Sequence, residues 1–541
     1  MRATEPGGDR LMERDFGQLE SGPFDLLVIG GGIYGAWIAQ DAALRGLSVA
    51  LVEANDWGSG TSQSSSKLLH GGLRYLEHFK FGLVQRALRE RRRLAWLAPH
   101  RVHPLRFAIP MYKGDRVGKL KMEAGLWLYD RLAASRQPVP PHRMFSRKQT
   151  LETWPFLFPE GVRGGFTYGD CGTDDARFTL EVVAGAMAAG AVCVNHARAV
   201  ELTREAGRIG GAEVEDVLTG DSVRIRARVT VNAAGPWGSR IGGLPDTARD
   251  LVRLVKGVHL VLPALPTEDA FLLTARRDGR VFFIIPWYGR SLVGTTDTDW
   301  PGPAERVDVT DADVEYLLSE CARVLGDRAW SAADIVGRFA GVRTLINAPD
   351  ASPTDVTREW SLEAPEAGLL MPIGGKFTSS RAEAAMTVEA ACGLLDRSHG
   401  PCPTRRRPFP WAPNLDSFDA WRESAAATGA ARGLDPETAR LSTRRLGTTV
   451  TQLHERLKSV PQLAARIHPE VPMCLGEAVH AVHHEMALSL DDVLRRRVPL
   501  AILARLGSDQ VTAVAYALAG ALGWNTEQAE AKARDWMKGG L

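Results

Sequence analysis

The sequence predicts an α/β protein with a helical domain at its C-terminal end, and three observations lead to this fold class. Near the N-terminus, a short apolar run, a glycine-rich turn, an alanine-rich stretch and a second apolar run follow one another in the order of a βαβ unit. Up to residue 396, β-branched runs alternate with alanine-rich stretches, which is typical of mixed α/β architecture. Beyond the prolines of residues 397–414, the apolar periodicity is helical.

The βαβ unit begins with Phe24–Ile29, the expected first strand. Gly30, Gly32 and Gly35 follow with GxGxxG spacing. The first glycine permits a tight turn, the second lets the backbone approach a pyrophosphate, and the third lets the helix pack on the strand. The helix N-terminus then presents N–H groups and a positive dipole end to phosphates. Glu53, at the end of the second strand, is placed to accept hydrogen bonds from a ribose diol. These features predict a dinucleotide site.

Two later segments indicate which dinucleotide is bound. The run Val229–Gly235 is a strand that ends in small residues and resembles the second cofactor-contacting strand of the large flavoprotein families. The run Gly368–Lys376 ends in a Gly-Gly turn before a helix that begins near Thr378. Such a turn presents backbone N–H groups to an anion, which in a flavoprotein would be the pyrimidine side of the reduced ring. Together with the βαβ unit, these elements favour FAD over NAD and predict a Rossmann-like FAD-binding domain.

The domain organisation follows from the same patterns. Residues 1–22 are expected to be a flexible tail, and residues 23–396 to hold the cofactor and substrate domains. The proline-rich residues 397–414 are the expected linker, and residues 415–541 the all-α C-terminal domain. A chain of 541 residues is too long for a single core, which agrees with this division.

Composition excludes several classes of protein. Lys and Arg number 66 against 64 Asp and Glu, which argues against a nucleic-acid-binding role. The six cysteines are scattered without a CxxC pair, so neither a disulfide framework nor a zinc site is expected, and a cytoplasmic location fits best. His480 and either His483 or His484 are expected on one helical face, but no third ligand is nearby, and no metal is expected. The first twenty residues contain no apolar signal segment, and no apolar run is long enough to span a bilayer.

A set of separated motifs resembles the FAD-dependent glycerol-3-phosphate dehydrogenase family. The longest is GTSQSSSKLLHGGLRYLEH at residues 60–78. The others are Lys256–His259, Gly294–Asp297, Gly341–Arg343, Thr357-Arg358 and Gly374–Lys376. The resemblance covers residues 24 to about 395 and continues through residues 476–497. It implies a D-amino-acid-oxidase-like flavoprotein fold, with the FAD-binding domain interleaved with a mixed β-sheet substrate domain. The implied reaction oxidises glycerol 3-phosphate to dihydroxyacetone phosphate, and membrane-associated members pass the electrons to quinone.

The resemblance also implies a set of site residues. A phosphorylated polyol is a dianion, which arginine binds in a bidentate manner. The expected substrate-binding residues are Arg74, Tyr75, His259, Arg343, Arg358 and Lys376, among which His259, Arg343 and Lys376 are the expected catalytic residues. The expected FAD-binding residues are Gly30, Gly31, Gly32, Gly35, Glu53, Thr61, Ser62, Ser66, Lys67, His70, Gly71, Ala234, Gly235, Gly374, Gly375, Lys376, Phe377 and Thr378.

The catalytic base is not fixed by the sequence. His259 is suited by its intrinsic pKa, and a lysine or arginine with a lowered pKa in a cationic cluster is the competing candidate. His70 stands beside a Gly-Gly turn and is expected to support the cofactor instead.

Three departures from the family pattern leave the substrate open. Phe377 to Arg381 lack the tyrosine that usually follows the Gly-Gly-Lys motif, Thr344 replaces a proline, and Glu359-Trp360 replaces an acidic and aromatic pair. A longer polyol phosphate such as erythritol phosphate is therefore an alternative, as is a soluble oxidase that reduces O₂. A non-catalytic dinucleotide sensor would not need the cationic set around the flavin.

Residues 112–133 mix Lys and Arg with Leu, Trp and Tyr, which predicts a basic amphipathic helix. The hypothesis is that this helix binds peripherally to the cytoplasmic face of the inner membrane, with Trp127 and Tyr129 at the interface. Family members use this neighbourhood for attachment, and the alternative is an ordinary helix packed on the core. A quinone is then the expected electron acceptor, and a homodimer is left open.

Overall fold

The structure is a computed structural model that describes residues 11–133, 136–347 and 359–539. The strands in these ranges are β1 Phe24–Ile29, β2 Val49–Val52, β3 Leu68–Leu69, β4 His103–Tyr112, β5 Arg143–Phe145, β6 Val162–Gly172, β7 Val192–Val194, β8 Ala197–Glu205, β9 Arg208–Asp216, β10 Ser222–Asn232, β11 Val252–Pro263, β12 Ala270–Thr274, β13 Val281–Trp287, β14 Arg290–Gly294, β15 Thr298–Asp299, β16 Gly337–Ile346, β17 Trp360–Glu366, β18 Leu369–Gly374, β19 Arg466–His468 and β20 Val471–Cys474.

The α-helices in the same ranges are α1 Ile33–Leu44, α2 Phe81–Leu97, α3 Lys119–Ala133, α4 Arg147–Thr153, α5 Asp175–Ala188, α6 Asp311–Leu325, α7 Ser380–Leu394, α8 Phe418–Ala431, α9 Pro436–Leu446, α10 Val450–Ser459, α11 Leu475–His484, α12 Leu500–Leu503, α13 Ser508–Leu522 and α14 Thr526–Gly539. The predicted βαβ unit is β1, α1 and β2, and the two later cofactor strands are β10 and β18.

The first sheet has the strand order β17-β18-β10-β1-β2-β7, and β9 continues from β10 into a hairpin with β8. Strand β1 lies in parallel between β10 and β2, and all of its residues are buried. A strand that is covered on both faces needs a continuous apolar run, which is what Phe24–Ile29 supplies. Helices α1, α5 and α7 pack together beside this sheet. The predicted Rossmann-like domain is thus confirmed.

The second sheet has the order β15-β11-β14-β13-β12-β4-β6-β3, with β16 beside β11 and β5 beside β6. Its pairs are antiparallel except for β12 with β4. In the chain, β3 to β6 come between β2 and β7, and β11 to β16 come between β10 and β17. Each domain is therefore built from alternating segments of the chain, as the expected interleaving requires.

The C-terminal part is helical from α8 to α14, with the short hairpin β19–β20 that the sequence analysis did not anticipate. The expected linker is packed rather than extended, because Phe409 and Trp411 are buried and the Phe409 ring lies 5.5 Å from the ring of Trp37. At the other end, residues 11–22 are not a flexible tail. Met12 and Leu19 are buried, and Arg14 forms an ion pair with Asp216.

Residues 112–133 are only partly helical. Tyr112 ends strand β4, and helix α3 begins at Lys119. The expectation that Tyr129 lies at a membrane interface is wrong, since this side chain is 1% exposed and its hydroxyl hydrogen-bonds within the core. Trp127, by contrast, is 53% exposed. No helix in the described ranges is long and apolar enough to cross a bilayer.

A candidate flavin and substrate site

A cavity of about 640 Å³ lies where the carboxyl ends of β1, β2, β10 and β18 meet strands β11, β13 and β16 of the second sheet. In open α/β sheets, ligands bind outside the carboxyl ends of the parallel strands. The cavity extends from the first glycine turn and Glu53 at one end to His259, Arg343 and Lys376 at the other. Its length and position fit a dinucleotide with a substrate beside it.

The glycines of the first turn leave space that a side chain would fill. Gly30 has φ +108, and a Cβ atom there would lie 2.6 Å from the carbonyl oxygen of Ala233. At Gly35, a Cβ atom would lie 1.8 Å from the Gly30 carbonyl oxygen, which explains why helix α1 packs so closely on β1. The turn therefore fits the backbone approach that a pyrophosphate requires.

Glu53 links the turn to the loop that follows β2. Its Oε2 accepts a hydrogen bond of 2.6 Å from the Gly31 N–H, and its Oε1 accepts one of 2.9 Å from the Asn55 N–H. Burial raises the pKa of Glu53, which these two hydrogen bonds oppose. Because carboxylate oxygens accept more than one hydrogen bond, Glu53 can also receive a ribose hydroxyl from the cavity.

The segment from residue 60 to residue 66 joins the two sheets along the cavity. Ser62 Oγ accepts a hydrogen bond of 2.9 Å from the Ile33 N–H at the start of α1. Thr61 Oγ1 donates a hydrogen bond of 2.6 Å to the Val342 carbonyl of β16. These two hydrogen bonds fix the segment of small polar residues between helix α1 and strand β16, along the wall of the cavity.

The Gly374-Gly375 turn closes the flavin end of the cavity. Both glycines have positive φ, and a Cβ atom on Gly375 would lie 1.8 Å from the hydroxyl oxygen of Tyr34. The next residue, Lys376, places its Nζ 3.6 Å from the centre of the Tyr75 ring, a cation–π arrangement. A cation is therefore fixed at this end of the cavity.

Arg343 extends from β16 into the same end. Its guanidinium donates hydrogen bonds of 2.7 Å to Asp297 Oδ1 and 2.9 Å to Thr295 Oγ1. Gly257 on the neighbouring strand makes room, since a Cβ atom there would lie 2.5 Å from an Arg343 guanidinium nitrogen. These contacts fix the orientation of the guanidinium at the cavity wall.

His259 lies on β11 in the buried wall of this end. Its Nε2 is 2.9 Å from Ser66 Oγ, and its ring stacks on Phe339 at 4.9 Å. Burial, together with the charges of Arg343 and Lys67, lowers the pKa of His259 well below its ordinary value. The imidazole is therefore neutral at neutral pH.

The structure brings most of the expected site residues together around this one cavity. Those that line it are Gly30, Gly32, Glu53, Thr61, Ser62, Ser66, His70, Tyr75, Ala234, Gly235, His259, Arg343, Gly374, Gly375, Lys376, Phe377 and Thr378. Gly31, Gly35, Gly71 and Arg74 are adjacent in the chain but do not line it. Arg358 lies outside the described residues.

Lys67 was expected to contact the cofactor and does not line the cavity. Its Nζ forms a buried ion pair of 2.5 Å with Asp175 and donates a hydrogen bond to the Gln63 carbonyl. A buried ammonium group needs such partners, and the carboxylate at the start of α5 provides one.

Other lining residues were not anticipated as site residues. They are Tyr34, Phe283, Trp237, Arg240 and Glu305, among others. Phe283 belongs to β13, whose sequence VFFIIPW is apolar throughout, so the sequence does not show which of its side chains meet the cavity. Trp237 directly follows the Gly235-Pro236 turn, and its indole nitrogen donates a hydrogen bond of 2.8 Å to Glu305 at the cavity mouth.

Comparison with known proteins identifies the class and then the family. The family model for FAD dependent oxidoreductases matches residues 25–360, and the model for the C-terminal domain of alpha-glycerophosphate oxidase matches residues 402–529. The fold and the cavity therefore belong to an FAD-dependent oxidoreductase.

Individual relatives of similar length identify the family within this class of oxidoreductases. Glycerol-3-phosphate dehydrogenase 2 of Mycobacterium tuberculosis is 38% identical over 95% of this chain and 87% of its own length. Glycerol-3-phosphate dehydrogenase of Synechocystis is 34% identical over 96% of both chains. The crystal structure of the Bacillus halodurans glycerol-3-phosphate dehydrogenase with FAD superposes with a TM-score of 0.78 at 28% identity, covering 96% of this chain and 95% of that one. The chain belongs to the FAD-dependent glycerol-3-phosphate dehydrogenase family.

The first prediction concerns the cofactor. The purified protein should be yellow, and acid should release FAD, because the cavity joins a pyrophosphate turn to a cationic end suited to a flavin. Mass analysis of the released nucleotide measures this directly. Recovery of NAD, or of no nucleotide from a folded preparation, would contradict the assignment of the cavity.

Proposed function

We propose that the protein oxidises the C2 hydroxyl of sn-glycerol 3-phosphate to the ketone of dihydroxyacetone phosphate and passes the electrons to a quinone. The observation that carries this proposal is the pairing of two fixed cations, Arg343 and Lys376, with a neutral histidine, His259, at one end of the cavity. An anionic alcohol needs both kinds of group, cations to bind the phosphate and a base to take the hydroxyl proton. FAD, when bound, supplies the hydride acceptor.

Arg343 and Lys376 are assigned to the phosphate and the neighbouring hydroxyl groups. The guanidinium is already oriented by Thr295 and Asp297, so little side-chain freedom remains to be lost on binding. Tyr75 forms the adjacent wall beneath the Lys376 ammonium group. Arg358 keeps its assignment to the substrate as a proposal from the family resemblance.

His259 is assigned as the base and acts through Ser66. The Nδ1 atom of His259 is buried and has no hydrogen-bond partner in the described part of the chain, whereas Nε2 bonds to Ser66 Oγ at the cavity wall. A proton that leaves the C2 hydroxyl reaches Nε2 through the serine hydroxyl. The lowered pKa keeps the ring neutral before the substrate arrives, and a bound dianion would stabilise the protonated ring.

Two rival functions use the same site and are separated by a simple experiment. The match to the C-terminal domain of an oxidase family favours a test of O₂ as acceptor. Oxygen uptake should remain small with glycerol 3-phosphate, while a quinone analogue supports turnover. The same assay with erythritol 4-phosphate tests the longer substrate. If the rate of O₂ consumption equals the rate of turnover with the quinone analogue, the quinone proposal fails and the protein is an oxidase.

Helices α2 and α3 form the proposed membrane surface. They contact each other, and four large apolar side chains are exposed on them or just before α2, namely Phe79, Phe81, Leu120 and Trp127. Phe79 is 78% exposed and Leu120 is 88% exposed, although large apolar side chains are usually covered. Arg131 lies over the Trp127 ring at 5.1 Å, which places a cation beside an exposed indole. We infer peripheral binding of this side to the cytoplasmic face of the inner membrane, where the quinone is dissolved.

The second prediction tests this surface. Changing Lys113, Lys119 and Lys121 to Glu should lower co-sedimentation with phosphatidylglycerol vesicles at low salt, because each cation contributes about 1 kcal/mol near an anionic surface. Changing Phe79 and Leu120 to Ser should lower the part of the binding that persists at high salt, since the apolar contribution is not screened.

The control for this experiment is Met386→Ser, which removes a half-exposed apolar side chain on α7, away from the proposed surface. It should leave sedimentation unchanged, and all variants should keep their activity with a soluble acceptor. If the wild-type protein does not sediment with these vesicles at low salt, the surface has another role.

A further inference from the structure

Three buried polar side chains meet beneath the turn that follows His70. They are Arg91 of α2, Tyr129 of α3 and Asp170 of β6, and each is 1% exposed. The Arg91 guanidinium lies 2.5 Å from Asp170 Oδ1, and the Tyr129 hydroxyl lies 2.8 Å from Oδ2 and 2.9 Å from Oδ1. We call these three residues the Arg-Asp-Tyr cluster.

The cluster holds the backbone of the turn. The Gly71 N–H donates a hydrogen bond of 2.9 Å to the Tyr129 hydroxyl oxygen and has a longer contact of 3.3 Å with Asp170 Oδ1. A Cβ atom on Gly71 would lie 2.6 Å from that hydroxyl, so the turn sits directly on it. Only a glycine at this position permits the contact.

The turn that follows His70 leads into the end of the cavity where we propose that the substrate binds. His70, which precedes Gly71, lines the cavity, and so does Tyr75, whose ring lies under the Lys376 ammonium group. Between them, Gly72 adopts φ +79 and starts the 3₁₀ turn Leu73–Leu76. The turn that positions the Tyr75 ring therefore begins at Gly71, whose N–H is hydrogen-bonded to the Tyr129 hydroxyl.

The chemistry of the cluster makes it rigid. Burial and the neighbouring Asp170 raise the pKa of Tyr129 well above its ordinary value, so the hydroxyl stays protonated and donates to the carboxylate. The Arg91 guanidinium compensates the charge of Asp170. A buried network of this kind tolerates little displacement, because any separation leaves the Asp170 carboxylate without the Arg91 and Tyr129 groups that pair with it.

We propose that Tyr129 is a positioning residue for substrate binding: its hydroxyl fixes the segment from His70 to Tyr75 and thereby the wall on which Lys376 rests. The proposal rests on the proposed function only in naming glycerol 3-phosphate as the substrate. It assigns a role to a residue that does not line the cavity.

The test is Tyr129→Phe in the holoenzyme. This variant removes one hydroxyl, leaves the ring in place and deprives the Gly71 N–H of its shorter partner. We expect the KM for glycerol 3-phosphate to rise by about tenfold, which corresponds to loss of one or two buried hydrogen bonds, while the FAD content stays full and kcat falls less. Hydrogen exchange of residues 70–76 should become faster in the same variant.

Tyr168→Phe is the matched control. Tyr168 is a buried tyrosine whose ring meets that of Tyr129 at 5.8 Å, and its hydroxyl makes no hydrogen bond within the described part of the chain. This variant should leave both the KM and the exchange rate near those of the wild-type protein. Thermal midpoints of both variants separate a general loss of stability from the local effect.

The outcomes distinguish this proposal from the proposed function. If glycerol 3-phosphate does not reduce the flavin of the wild-type protein, the proposed function fails, and the exchange measurement still tests the hold on the turn. If Tyr129→Phe keeps the wild-type exchange rate in residues 70–76, or changes KM no more than Tyr168→Phe does in an active enzyme, the positioning role is overturned.

Discussion

Replacement of Arg343 by alanine should lower kcat/KM for glycerol 3-phosphate by about 30-fold to several thousand-fold while FAD stays bound. The range corresponds to about 2–5 kcal/mol, the usual loss when one partner of a buried charge-assisted contact is removed. In this structure the guanidinium is held by Asp297 and Thr295 at the cavity wall, at the end opposite the Gly30–Gly35 turn. Steady-state kinetics and the flavin absorbance of the purified variant measure the two effects separately.

Two further variants sharpen this experiment. Arg343→Lys keeps the charge but loses the planar fork, so its kcat/KM should fall between those of the wild-type protein and the alanine variant. Arg253→Ala removes an arginine that pairs with Asp299 at 2.7 Å on the same sheet, and Arg253 does not line the cavity. Its kinetics should stay close to wild type. Equal effects of Arg253→Ala and Arg343→Ala would mean that Arg343 acts on the sheet and not on the substrate.

The cofactor half of the site was predictable because its signals are local. Strand, glycine turn, helix and second strand occur within about thirty residues, and the reason for each glycine is a backbone requirement that neighbouring residues do not alter. In the structure, Gly30 and Gly35 lie so close to neighbouring backbone atoms that a side chain at either position would clash, as these backbone requirements predict. Ala234, two residues beyond the end of β10, and the turn at Gly375 were found in the same way, as small residues after apolar runs.

The residues at the proposed substrate end of the cavity are brought together by contacts between distant segments of the chain. For this reason the sequence predicted fewer of them. Lys67 lies in the most recognisable motif, yet it turns away to Asp175, more than a hundred residues later in the chain. Phe283 comes from a strand with no motif at all. Tyr129 is an aromatic residue with a hydroxyl on an amphipathic helix, and periodicity alone does not show that this hydroxyl faces a buried carboxylate. Such pairings arise from the tertiary fold, and no local pattern specifies them.

The helical domain, which we propose to place at residues 415–541, reaches the cofactor loop through buried charges. Asp56 follows Glu53 by three residues, and its carboxylate is bound by Arg496 at 2.5 Å and by Arg497 at 2.7 Å and 2.9 Å. Arg497 also donates a hydrogen bond of 2.9 Å to the Glu485 carbonyl. Asp56 is fully buried, so its charge depends on these two arginines.

Arg497→Met should therefore destabilise the holoenzyme by about 3–5 kcal/mol, because the variant leaves a buried carboxylate with half of its compensation and a carbonyl without its donor. Denaturation followed by flavin fluorescence and by far-ultraviolet circular dichroism should show FAD release at a lower denaturant concentration, since the Glu53 loop is loosened as well.

Glu470→Gln is the matched control, because its pair with Arg290 also joins the helical part to the substrate sheet at 2.7 Å but is exposed at Glu470. An exposed ion pair contributes little to stability because solvent screens it, so this variant should unfold near the wild-type midpoint. Equal midpoints for the two variants would show that the arginines do not hold the cofactor loop.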